Sequence, residues 1–111
     1  MNHIAIFASG NGSNAQALIE YFAKRTTARI ELLVSNKPKA YALERAKKHD
    51  IATVLISHET PCSELIQVLH THRIDWIILA GYLALVPAEL ISEFPNRIIN
   101  LHPALLPKYG G

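Results

Sequence analysis

Five short apolar runs alternate with four stretches of helical spacing along 111 residues, and that order leaves few folds open. Residues 3–8 read as a first strand, with Ile4, Ile6 and Phe7 able to line a buried sheet. From Ser13 the period changes: Ala15, Leu18, Ile19, Phe22 and Ala23 share one face of an amphipathic helix. Further strands are predicted over 30–34, 53–56, 75–80 and 97–101. A second helix over 40–49 turns Ala42, Leu43 and Ala46 inward. A third is capped by Thr60 with Pro61 at its first helical position, burying Cys62, Leu65, Ile66 and Leu69. A short fourth runs over 87–93, with Leu90 and Ile91 facing in. Repeated strand–helix–strand order implies right-handed crossovers and a parallel sheet. The expected fold is one α/β domain over 1–111: a doubly wound, Rossmann-like, mainly parallel five-stranded sheet with flanking helices.

Composition narrows the function classes. Half the residues are hydrophobic and 18% are charged, which excludes a disordered chain. Lys and Arg number 11 against 9 Asp and Glu, and a net charge of +2 gives no electrostatic case for nucleic acid or an acidic membrane surface. The uncharged apolar stretch 76–88 falls short of the ~20 residues a membrane helix needs. Met1 is followed by no basic flank or cleavage site, so no signal peptide is expected. The one Cys, Cys62, excludes an internal disulfide and suits a reducing, cytoplasmic location. Nothing after the fifth strand could cover its far side. The expectation is a domain without its last part, and an open strand edge through which a homodimer could form.

Two loops carry candidate chemistry. In Ser9-Gly10-Asn11-Gly12-Ser13-Asn14, between the first strand and helix, glycines permit positive φ angles that gather backbone N–H groups into one concavity. The free N–H groups of the following helix point at the same spot, so a phosphate would fit. A tight turn in which Ser13 or Asn14 only caps the helix is the simpler alternative. Gly10-x-Gly12-x-x-Ala15 also matches a dinucleotide fingerprint, but the second strand ends in Ser35-Asn36-Lys37 and not in the acidic residue that would hold a ribose. The second loop, Asn100-Leu101-His102-Pro103, leaves the carboxyl end of the fifth strand, the edge where such sheets bind ligands. Strand alternation puts Asn100 and His102 on one side, where an amide could donate to an oxyanion and an imidazole could move a proton. Both could equally be satisfied by loop backbone. The other histidines have no ligand-spaced partner, and no metal site is expected.

Together with Leu79-Ala80-Gly81-Tyr82 and the run Ala104-Leu105-Leu106-Pro107-Lys108-Tyr109-x-Gly111, these motifs closely resemble the phosphoribosylglycinamide formyltransferases, folate-dependent enzymes of purine synthesis. The resemblance runs the length of the chain and covers the family's N-terminal part. The His-Pro-x-Leu-Leu-Pro segment is shared with methionyl-tRNA formyltransferases and formyltetrahydrofolate deformylases. The opening glycine loop is what points to the ribonucleotide enzymes. A dinucleotide-binding reductase and a non-catalytic phosphate-binding module are the remaining readings.

The resemblance implies that the amine of glycinamide ribonucleotide attacks the formyl carbon of 10-formyltetrahydrofolate. By the same analogy Asn100 donates to the oxyanion, and His102 stabilises it and helps move a proton. The backbone of Gly12 and Ser13 with the Asn14 side chain would hold the substrate phosphate. Leu83, Ala84, Leu85 and Val86, with Asn100, would line the folate site, and Pro103 would flank the glycinamide arm. The family's third catalytic residue, an aspartate, lies beyond residue 111, and Ala84 replaces a bulkier or basic residue of many members. The 111 residues alone are therefore expected to be nearly inactive, since losing the orienting partner of a catalytic imidazole has cost ~10⁴ in rate elsewhere.

Overall fold

The computed structural model describes residues 1–101. The order is β1 (Asn2–Phe7), α1 (Ser13–Ala23), β2 (Ala28–Ser35), α2 (Tyr41–Lys48), β3 (Ala52–Leu55), α3 (Cys62–Thr71), β4 (Trp76–Ala80), α4 (Ala88–Glu93) and β5 (Ile98–Leu101). The strands form one sheet in the order β3-β2-β1-β4-β5, and every pairing is parallel. The doubly wound, Rossmann-like fold expected from the sequence is the fold observed.

The apolar runs are nearly continuous because both faces of the sheet are covered. Ile4 and Ile6 of β1 point to one side, with Ile30, Leu33 and Ile78, and meet Ala15 and Ile19 of α1 and Ala42, Leu43 and Ala46 of α2. Ala5 and Phe7 point to the other, with Leu32, Val34 and Ile77, and meet Leu65 and Leu69 of α3 and Leu90 of α4. The winding changes face between α2 and α3, which sets the switch point between β1 and β4. In such sheets the crevice at that point, outside the carboxyl ends of the strands, is where ligands bind.

Several local expectations change. Pro61 and Pro87 precede their helices as N-caps with extended ψ angles of 140° and 147°, instead of occupying the first helical positions. Their carbonyls accept the first helical bonds, from Leu65 and Ile91. Thr60 does not cap α3, because its hydroxyl oxygen accepts the N–H of Ser57 and closes the preceding turn. Ala23, at the last position of α1, and Ile91, on the outer side of α4, are exposed. Among the described residues no helix is long and apolar enough to cross a membrane.

Candidate active site

Because all strands are parallel, every loop that follows a strand opens on one rim. The turn 9–12 leaves β1 there, Asn36 leaves β2, Gly81 leaves β4, and Asn100 lies near the end of β5. Phe7 pairs with Leu79, and Leu79 pairs with Asn100, so the start of the glycine turn and Asn100 lie two strands apart on one level of the sheet. At about 4.8 Å per strand, that separation is about 10 Å.

The glycine turn is fixed from several sides. Gly12 is the N-cap of α1 with φ +82°, in the left-handed region, and α1 has no side-chain cap. A Cβ on Gly12 would lie 2.6 Å from both Cα and Cβ of Ala42, so glycine is required twice over, by its angle and by the approach of α2. The carbonyl of Gly10 accepts the N–H of Ala42 at 3.2 Å, so the turn in effect caps α2. Arg45 donates from Nε to the Asn11 carbonyl at 2.8 Å and from its terminal nitrogen to Asn11 Oδ1 at 2.6 Å. Gly10 differs from the expectation, since its φ is not positive and a Cβ there would meet nothing within 4 Å. Neither Ser13 nor Asn14 caps the helix, because α1 begins one residue earlier than that reading requires. The first turn of α1 therefore presents the N–H groups of Ser13, Asn14 and Ala15 toward the rim, beside the open space over Gly10. A helix N-terminus of this kind suits an anion.

Beside the turn, the segment 82–86 follows β4. Ala84, Leu85 and Val86 wall a cleft of about 470 Å³ whose apolar floor includes Phe7, Leu65 and Leu90 and whose polar side carries Asn36, His58 and Thr60. Leu83 is not part of that wall; its side chain is 76% exposed. Tyr82 meets Phe7 edge-on with ring centroids 5.3 Å apart, and burial raises its phenol pKa. Cys62 also lines the cleft. Burial, reinforced by the nearby Glu89 carboxylate, raises its thiol pKa above the ordinary value. Asn100 is exposed on the rim. His102 and Pro103 lie outside the described residues. Among the described residues no three His, Cys, Asp or Glu side chains gather to hold a metal ion.

Sequence reading assigned no individual role to Ser9 and Asn36, which bond to each other across the ends of β1 and β2, or to Arg45, which holds the turn at Asn11. The available signal was Ser9 itself, a hydroxyl directly after a buried apolar strand, which must find a partner.

An open, doubly wound parallel sheet with a glycine-bent helix N-terminus at its switch point defines a Rossmann-like α/β protein whose candidate site lies on the carboxyl rim. The comparisons with known proteins narrow that class. The family described as "Formyl transferase" matches residues 2–111, and the chain belongs to it. Over 116 residues it is 39% identical to the chloroplastic phosphoribosylglycinamide formyltransferase of Arabidopsis thaliana, covering 97% of this chain and 40% of that protein. It is 35% identical over 116 residues to the phosphoribosylglycinamide formyltransferase of Escherichia coli K12, covering 98% of this chain and 55% of that protein. The crystal structure of glycinamide ribonucleotide transformylase 1 from Geobacillus kaustophilus superimposes with a TM-score of 0.85 at 39% identity, covering 100% of this chain and 63% of that one. The chain thus spans about half the length of these relatives.

Proposed function

We propose that the protein carrying this chain transfers the formyl group of 10-formyltetrahydrofolate to the amine of glycinamide ribonucleotide, a step of purine biosynthesis, in the cytoplasm. The observation that carries this reading is the common rim: the strands that lead to an anion-ready helix N-terminus and to an exposed carboxamide lie two apart, about 10 Å, on one level of the sheet. Gly12, Ser13 and Asn14 hold the phosphate by backbone N–H groups and the Asn14 side chain. The segment 83–86 receives the folate, whose flat ring system suits the apolar wall of Ala84, Leu85 and Val86.

Bound formyl folate supplies an electrophilic one-carbon unit. The substrate amine forms a bond to that carbon, the bond from the carbon to the folate nitrogen breaks, and one proton passes from the amine to that nitrogen. Asn100 donates an N–H to the carbonyl oxygen as negative charge grows there. His102, two residues further on, carries the proton. In a reaction of the full-length protein with both substrates, formylated ribonucleotide and tetrahydrofolate are expected to appear in equal amounts. Release of formate without the ribonucleotide would instead indicate a hydrolase, and transfer to aminoacylated tRNA a tRNA formyltransferase.

A further inference from the structure

Ser9 occupies the junction of three of the loops on the rim, those after β1, β2 and β4. It is 5% exposed, directly after β1, and its backbone N–H donates to the Gly81 carbonyl at 3.1 Å. Its Oγ accepts the backbone N–H of Leu83 at 2.7 Å. That N–H can only donate, so the single hydroxyl proton of Ser9 is left for Asn36, whose Oδ1 accepts it at 2.6 Å. The direction of the chain is therefore fixed from Leu83 through Ser9 to Asn36. A fixed Oδ1 also fixes the Asn36 amide nitrogen, whose two N–H donors have no partner among the described residues while the residue lines the cleft. The partners are 74 and 27 residues from Ser9 in sequence, so one hydroxyl ties the ends of β1, β2 and β4 together.

We propose that Ser9 is a positioning residue: its hydroxyl holds the folate-binding segment 83–86 in place against the phosphate turn and orients the Asn36 amide toward the cleft. The inference rests on the formyl-transfer reading for what the segment binds, but the tie itself is a feature of the fold. Ser9 touches neither substrate. Its loss leaves the turn 10–12 held by Ala42 and Arg45, so the two substrates respond unequally.

The test is Ser9→Ala in the full-length protein, with Michaelis constants measured for each substrate separately. The KM for formyl folate is expected to rise about tenfold, the order set by losing two hydrogen bonds, one of them to a buried hydroxyl. The KM for the ribonucleotide and kcat stay within about twofold. A merely structural role would lower the active fraction and leave both KM values unchanged. Asn36→Ala removes the hydroxyl's acceptor without touching the turn, and is expected to shift the same KM in the same direction; it decides the matter should Ser9→Ala not fold. Amide exchange at Leu83 separates this proposal from the functional reading, because it needs no substrate. It is slow in the wild type and at least about tenfold faster in Ser9→Ala. Unchanged folate KM in both variants, equal rises in both KM values, or unchanged Leu83 exchange would each overturn the proposal, whereas a wild type that exchanges slowly yet transfers no formyl group would overturn only the functional reading.

Discussion

Gly12→Ala is expected to destabilise the protein by about 2–5 kcal/mol, a sum of two independent costs. The first is conformational: at φ +82° an L-residue loses about 1–2 kcal/mol. The second is steric. The new methyl would lie 2.6 Å from the Cα and Cβ of Ala42, and neither atom can swing away as the end of a long side chain could. Overpacking of this kind costs about 1–3 kcal/mol. Relief requires α1 and α2 to separate, which opens the bond from Ala42 N–H to the Gly10 carbonyl and dilutes the anion site together with the fold. Thermal unfolding would show a midpoint lower by about 4–20 °C. Gly10→Ala is the matched control. It adds the same methyl two residues away into open space, so its stability should stay within about 0.5 kcal/mol of the wild type. Ribonucleotide affinity should nevertheless fall if the proposed phosphate approaches through that open space.

Asn100→Ala is expected to lower kcat by about 10²–10³-fold while leaving stability within about 0.5 kcal/mol. The two halves of that expectation have different origins. Asn100 is exposed, so its truncation leaves no cavity among the described residues. Its proposed bond reaches full strength only when charge develops on the formyl oxygen, so the loss falls on kcat and not on KM. Asn100→Asp sharpens the point: the side chain keeps its size but becomes an acceptor with negative charge, opposing the oxyanion, and should be slower than the alanine variant. Steady-state kinetics with denaturant titrations of the same samples check both halves. A drop of less than about threefold in kcat, with normal stability, would remove Asn100 from the catalytic role.

Much of the architecture was legible because covering both faces of a parallel sheet leaves a plain mark. Ile4, Ala5, Ile6 and Phe7 divide alternately between the two faces, and a chain that must be apolar on both sides reads as a continuous run. Helix faces were legible wherever a helix lies against the sheet, as at Ala15 and Ile19, and failed at its ends and outer side, as at Ala23 and Ile91, where the period continues with nothing to pack on. The prolines show the same limit. Pro61 and Pro87 mark where helices start, but whether a proline is the cap or the first helical residue depends on one ψ angle that no spacing encodes. The two glycines of the first turn look alike in sequence and differ in fact, because only Gly12 meets α2. Ser9 shows what local reading cannot reach. Its partners Asn36 and Leu83 are brought to it only when β2 and β4 flank β1.

The most direct test follows individual backbone amides while the full-length protein is titrated with glycinamide ribonucleotide. If the sugar phosphate sits on the bend after β1, the largest shifts will fall on Gly12, Ser13, Asn14 and Ala15, with a smaller set at Asn100. Shifts confined to the far rim, where Arg25, Arg29 and Asp50 border a separate cavity of about 370 Å³, with the bend unmoved, would contradict the account.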